Sequence, residues 1–343
     1  MSVNMPSVHQ VVSWAGTAAL SLACSAFGGQ DTGKAPDPDG MVPSETPPSP
    51  SPPTGAGRPG QELGVTWTVS GGDMYQFQSS IDGGGSFSVN RAYLGARLQY
   101  RFSPSLRIGF KLNTEIDSYD FKGGGSFADA AGGTPWTTTQ EFSIGGSAEW
   151  KIDDRWTIFG SGSARWAGEP DADWGSSFST GGVIAGSYTF SRDLTLGAGL
   201  LASGRLDGSV LFIPSLLIDW TITDRLVVTN VRGPATYPAS AGIELIYAIE
   251  DDLSFAVGFR YEYRRFRLDD SGPVTIHGGV GTERSFPMWL RLEWRPAPKL
   301  RLHLLGGISF GEKLELQNAG GITIEEQDVK PAPFVALFFG FKF

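Results

Sequence analysis

Ala332-Pro333-Phe334-Val335-Ala336-Leu337-Phe338-Phe339-Gly340-Phe341-Lys342-Phe343 closes the chain. Val335, Leu337, Phe339, Phe341 and Phe343 fall on one side of an extended strand. Ala336, Phe338, Gly340 and Lys342 fall on the other. Strict two-residue alternation predicts a strand with one face in an apolar surround. The same pattern recurs upstream. Phe286, Met288, Leu290, Leu292 and Trp294 oppose Trp289, Arg291, Glu293 and Arg295. Leu253, Phe255, Val257, Phe259, Tyr261 and Tyr263 oppose Ser254, Ala256, Gly258, Arg260, Glu262 and Arg264. Leu106, Ile108, Phe110 and Leu112 oppose Arg107, Lys111 and Glu115, and Phe142, Ile144, Ala148 and Trp150 oppose Glu141, Ser147 and Glu149.

The connections between such runs sort into two kinds. Tight polar turns stand at Ser103-Pro104-Ser105, Asp153-Asp154-Arg155, Ser191-Arg192-Asp193, Thr223-Asp224-Arg225, Glu250-Asp251-Asp252 and Pro296-Ala297-Pro298-Lys299. Longer Gly/Asp-rich connectors stand between them: 122–135, 168–176, 233–238, 269–281 and 317–330. Short turns at one end and long loops at the other are the signature of a transmembrane barrel, whereas Greek-key sandwiches do not sort their connections so cleanly. The runs number about 14, with 12 or 16 remaining open, and both ends fall on the short-turn side.

A soluble antiparallel sheet also alternates. The aromatics discriminate: Phe102, Trp150, Trp156, Phe190, Trp220 and Trp294 sit at strand ends beside the tight turns, on the apolar face. A girdle at a membrane interface wants rings there, and a buried core wants them mid-strand. The terminal strand, with Phe339, Phe341 and Phe343, is similar to the assembly signal of bacterial outer-membrane barrels. The expected fold is therefore all-β: a single antiparallel transmembrane barrel over 63–343, with the termini on the periplasmic side. Its expected partners are outer-membrane lipid and the barrel assembly machinery, met through the last strand.

Val11 to Phe27 is apolar and rich in small residues, and residues 1–28 are expected to be a signal peptide. The only cysteine, Cys24, lies inside it, and lipidation there is the alternative processing. Residues 29–62 are Pro-, Gly- and Ser-rich with almost no apolar side chain, and are expected to be a disordered linker. The formal net charge is −9 with no long basic run, which argues against nucleic acid as a partner. A charged fraction of 18% with 47 glycines suits many strands and turns rather than a helical bundle.

Tyr263-Arg264-Arg265-Phe266-Arg267-Leu268-Asp269-Asp270, Pro287-Met288-Trp289-Leu290-Arg291-Leu292 with Arg295-Pro296, Gly306-Gly307 with Gly311-Glu312-Lys313-Leu314-Glu315-Leu316, and Pro331-Ala332-Pro333 carry a resemblance. It is to an uncharacterised family of Gram-negative outer-membrane β-barrels, clearest over about residues 240–343. The resemblance implies the fold and the location, and implies no activity and no functional residue.

The inward face is where function is sought. Arg97, Arg107, Lys111, Glu115, Glu149, Asp219, Arg260, Glu262, Arg264, Arg291, Glu293, Arg301 and His303 are the expected lumen-lining residues. Cations on strands two and three would join those on strands eleven to fourteen as a basic arc once the barrel closes. Glu115, Asp117, Glu141, Glu149 and Asp219 would lie mostly on the other wall, with Glu262 and Glu293 inside the arc; the alternative is that these charges pair with each other and fill or rigidify the lumen. A pore so divided would screen solutes by charge, and a passive channel for small polar or anionic solutes is the expected function. A closed structural or adhesive barrel acting through its loops is the alternative. An enzyme is disfavoured: only His277 and His303 lie beyond residue 62, and neither has a nucleophile at a useful spacing. No metal cluster or cofactor is expected, and Gly71-Gly72, Gly123-Gly124-Gly125 and Gly278-Gly279 read as turn and loop glycines.

Overall fold

A computed structural model describes residues 64–206, 208–230, 242–270 and 273–343. The expected signal peptide, Cys24, the linker to residue 62 and the whole 233–238 connector lie outside the described residues.

Strands run in chain order: β1 Gly64–Ser80, β2 Ser86–Ser103, β3 Leu106–Lys122, β4 Thr138–Lys151, β5 Trp156–Gly168, β6 Phe178–Thr189, β7 Leu194–Gly204 and β8 Val210–Thr223. They continue as β9 Leu226–Thr229, β10 Gly242–Ala248, β11 Leu253–Arg260, β12 Glu262–Arg267, β13 Val280–Ala297, β14 Leu300–Gln317, β15 Thr323–Val329 and β16 Ala332–Lys342. A short helix, α1, covers Ser126–Ala131. β11 and β12 both pair with β13, broken only at Tyr261, and β15 and β16 both pair with β14. The segments therefore make a closed antiparallel barrel of 14 strands. Closure is the pairing of β1 with β16, from Thr68 opposite Lys342 to Gln76 opposite Phe334. Closure removes the free sheet edge that a 14-stranded open sheet would carry.

The tight turns are held by their own polar side chains. The Asp153 carboxylate accepts from the backbone N–H groups of Arg155 and Trp156, at 2.7 Å each. Those bonds, Trp156 first, hold the Asp153 carboxyl below the usual carboxylate range. Ser103 Oγ accepts from Leu106 N at 3.0 Å in the first turn.

The exterior is apolar. Trp67, Phe102, Trp150, Trp156, Phe190, Trp220, Trp294 and Phe343 are all exposed beside the turns. Phe77, Phe178, Phe212, Phe286 and Phe310 form a second exposed ring toward the loops. Phe286 to Trp294 covers roughly 26 Å of strand, enough for the apolar band of a membrane barrel.

Three expectations change. The 317–330 connector is not a loop: Thr323–Val329 forms β15 and prolongs the last hairpin on β14. The 122–135 connector contains α1, whose Phe127 and Ala131 are buried. Gly71 and Gly72 are not turn glycines but lie within β1, where a side chain at Gly72 would strike Phe338 of β16. Phe338 faces the interior, so Gly72 makes room for it.

One more glycine sets the register. Gly311 adopts φ 54°, and the β13–β14 pairing slips by one residue between Arg284/Lys313 and Phe286/Phe310. This is a β-bulge. Below it the odd residues of β14, Arg301 to Ser309, face inward. Above it the even residues Glu312, Leu314 and Leu316 do, each fully buried.

Candidate functional site

Inward positions are identified by alternation against the exposed apolar belt, and they differ between the two ends of the barrel. Near the loops, Ile81, Phe87, Val89, Phe127, Trp136, Phe266, Leu314 and Leu316 pack into one apolar cluster. Trp136 meets Phe127, Phe266 and Phe121 edge-on at 5.6, 5.0 and 5.5 Å. α1 supplies Phe127, and the connector after it supplies Trp136.

Beneath this cluster lies a layer of buried ions. Arg91 on β2 pairs with Asp117 on β3 and reaches past β1, β16 and β14 to Glu283 on β13. Tyr119 donates its hydroxyl to the second Glu283 oxygen at 2.7 Å. Arg264 on β12 bonds Glu262 and reaches Glu115 on β3 at 3.4 Å. Arg260 pairs with Glu262 and lies over the Trp289 ring at 5.5 Å. On the neighbouring wall Arg165 pairs with Glu141 at 2.6 Å. Ions this buried persist only when paired and hydrogen-bonded.

Toward the turns a second network centres on Glu293. Arg291 donates to it at 2.7 Å, Arg295 at 2.7 Å and Arg301 at 3.4 Å. Arg291 also grips Glu244 of β10 with two bonds of 3.0 and 2.7 Å, and Trp289 Nε1 donates to Glu244 at 2.8 Å. His303 is buried in this network, its Nδ1 at 3.3 Å from Arg291 Nη1 and 3.7 Å from Glu293 Oε2. On β2 and β3, Arg97 stands opposite Lys111 in the strand register, and Arg101 opposite Arg107. Arg107 lies 3.9 Å from Glu149. Asp219 is half-buried on β8, opposite Thr195 and Thr229.

The structure thus corrects the division into a basic arc and an acidic wall. Closure of β1 on β16 brings β2 and β3 within arginine reach of β12 and β13, so opposite charges meet across the lumen. Both signs occur at both ends. In the strand register like cations stand opposite near the turns, and Glu115 stands opposite Glu141 near the loops.

Sequence reasoning missed Glu244, Glu283, Glu312 and Arg165. Glu283 could have been found by stepping back in twos from Glu293. Glu312 could not, because the Gly311 bulge reverses the parity. His277 lies in the 267–280 connector, away from His303, and no group of metal-ligating side chains forms among the described residues.

Both ion networks are buried, Arg291, Glu293, Arg301 and His303 as fully as the loop-side layer. Arg91, Glu115, Asp117, Glu262, Arg264 and Glu283 are buried. Arg97, Gln99, Arg101, Arg107, Ser161, Ser163 and Ser215 retain partial exposure on the inward face.

No family model matches the sequence, and no curated protein does. Solved structures align with the chain at low identity. An outer-membrane channel from Pseudomonas putida F1 aligns over 85% of this chain and 100% of its own, with 9% identity and a TM-score of 0.45. The P. putida toluene transporter TodX aligns over 82% of this chain and 90% of its own, with 8% identity and a TM-score of 0.41. The KdgM porin aligns over 80% of this chain and 99% of its own, with 9% identity and a TM-score of 0.32.

Proposed function

We propose that the chain is a bacterial outer-membrane channel whose turn-side vestibule admits small anionic solutes. The observation that carries this reading is the run of inward cations on β2 and β3, with Arg97 opposite Lys111 and Arg101 opposite Arg107 in the strand register. Four cations on neighbouring inward positions bias the local potential of that stretch of wall toward anions. The apolar exterior with its two aromatic rings supports the membrane location, and the turn side would face the periplasm. Small solutes, outer-membrane lipid and the barrel assembly machinery are the partners, and no chemistry is assigned to the lumen.

Planar-bilayer recording of the purified chain tests it. The expected result is a conductance that favours chloride over potassium and loses that preference in Arg97→Glu/Arg101→Glu. Conductance without anion preference would overturn the anion reading.

A second reading is a closed structural barrel acting through its loops. The Arg264–Glu115 and Arg91–Glu283 bridges beneath a buried aromatic cluster favour it. Absence of conductance, together with surface binding lost on shortening the 122–138 connector, would select it.

A further inference from the structure

The apolar cluster at the loop end draws on strands all round the mouth of the barrel. It takes Val89 from β2, Tyr119 from β3, Ala167 from β5, Phe266 from β12, Leu314 from β14 and Val329 from β15. At this level β5 meets β12 directly, Gly168 beside Arg267, so the mouth is narrower than the 14-stranded ring below it. α1 adds Phe127 and Ala131, both buried. Phe127 packs on Trp136, and Trp136 touches Tyr119 on one wall and Phe266 on the other.

α1 belongs to no strand ladder and is bracketed by glycine. Gly123 and Gly125 precede it at φ 80° and 149°, and Gly132 follows it at φ 68°. A few such residues at the ends of a segment absorb the φ/ψ change when it swings. Its ties to the barrel gather at its first residue. Ser126 N–H donates to the Gly83 carbonyl at 3.0 Å, and Gln327 Nε2 donates to Ser126 Oγ at 2.9 Å. Burial of Phe127 holds the segment down. Trp136 opposes it: its Nε1–H is buried with no acceptor among the described residues, and gains water when α1 lifts. Next to Trp136, Tyr119 donates to Glu283, the partner of Arg91 across the lumen. Water at that point raises the local dielectric and weakens the bridge.

We propose that α1 is a hinged lid. Seated, it seals the loop-side mouth and keeps the ion layer dry. Lifted about its flanking glycines, it wets that layer and opens the loop-side end of the lumen. This rests on the channel reading and adds its gate.

The test is planar-bilayer recording in a Cys24→Ser background, Cys24 being the only cysteine. Ser126→Cys/Gln327→Cys is bridged by a short bis-methanethiosulfonate reagent, which pins the lid to β15 and which a reductant releases. Bridging is expected to cut the open fraction about tenfold, and reductant to restore it, as for a two-state element held in one state. Lys313→Cys/Glu326→Cys, bridged in the same way within the β14–β15 hairpin, is expected to change nothing. Gly125→Ala is expected to raise the open fraction about tenfold, because its Cβ would lie 2.5 Å from the Gly83 carbonyl oxygen while the lid is seated. Heat-modifiable migration shows that each variant has formed its barrel. A conducting barrel whose open fraction ignores both the first bridge and Gly125→Ala overturns the lid and spares the channel. Equal loss on bridging either cysteine pair also overturns the lid. No conductance in any of these proteins, reduced or bridged, overturns both readings.

Discussion

Arg264 and Glu115 sit six strands apart on the barrel wall, yet the Arg264 Nε–H donates to Glu115 Oε1 at 3.4 Å. The bond therefore spans the lumen rather than the sheet. Arg264 also holds Glu262 and lies 3.8 Å from Asp117 and 3.9 Å from Glu283. Replacing it with methionine leaves these carboxylates buried without their shared cation. Arg264→Met is expected to destabilise the barrel by about 3–5 kcal/mol, because an uncompensated buried charge costs that much. It is also expected to raise the conductance by loosening the bridge across the lumen. Urea midpoints from folded and unfolded gel mobility, with bilayer recordings, check both. Glu115→Gln keeps a hydrogen-bond acceptor and is expected to cost less.

Gly311 is expected to resist substitution more than any exposed loop glycine. Its φ of 54° lies in the left-handed region, and the residue carries the bulge that turns Glu312, Leu314 and Leu316 inward. A β-branched side chain there meets a conformational cost of about 1–2 kcal/mol, before any loss of register. Gly311→Val is expected to lower the urea midpoint accordingly, and Gly311→Asn to lower it less, because asparagine tolerates left-handed backbone. Equal midpoints for the two variants would show that the bulge conformation is not what holds this register.

These two residues also mark where the sequence is legible and where it is not. Alternation and turn chemistry exposed nearly every wall strand, because each carries an apolar face bounded by Asp, Ser or Pro. Thr323–Val329 escaped because it rises past the apolar belt. Its Glu325, Glu326, Gln327 and Asp328 show no apolar face, and it is a strand only because β14 lies beside it. α1 escaped because six residues are too few to show a helical period. One parity runs along β13, whereas on β14 the buried parity changes past Gly311. Which distant ions meet is set by barrel closure and by the reach of arginine. No local pattern in β3 names a partner on β12.

The loops carry a pH-sensitive joint at Glu169. Its carboxylate accepts from the Asp269 backbone N–H at 3.1 Å, and its own N–H donates to the Arg267 carbonyl at 2.9 Å. Burial pushes the Glu169 carboxyl up to about 7, the Asp269 amide opposing that shift. The folded loops therefore bind this proton more tightly than the unfolded chain does. The stabilisation is fully present below the unfolded value of about 4.5 and is lost as pH rises through about 7. Protease nicking of the 168–178 and 267–280 connectors is expected to be faster at pH 8 than at pH 5, after correction for protease activity. Glu169→Gln is expected to remove most of that difference. Nicking rates with the same pH dependence in both proteins would exclude Glu169 as the titrating group.

Phe343 separates assembly in the cell from stability of the finished barrel. Its ring is 61% exposed, beside Phe341 at 4.8 Å, and its backbone N–H bonds the Trp67 carbonyl at 2.9 Å. Phe343→Ser keeps that backbone bond and removes a ring that buries little against protein. Refolding into detergent or lipid vesicles in vitro is expected to lose only the interfacial transfer energy of one ring, about 1–2 kcal/mol, with the barrel still forming. If the terminal aromatic face of Phe339, Phe341 and Phe343 is read by the assembly machinery, the same variant is expected to lose most of its heat-modifiable form in cells. Loss in both settings would make the ring a structural element of the closure seam. Loss in neither would remove the assembly role from the terminal residue and leave closure to the β1–β16 register alone.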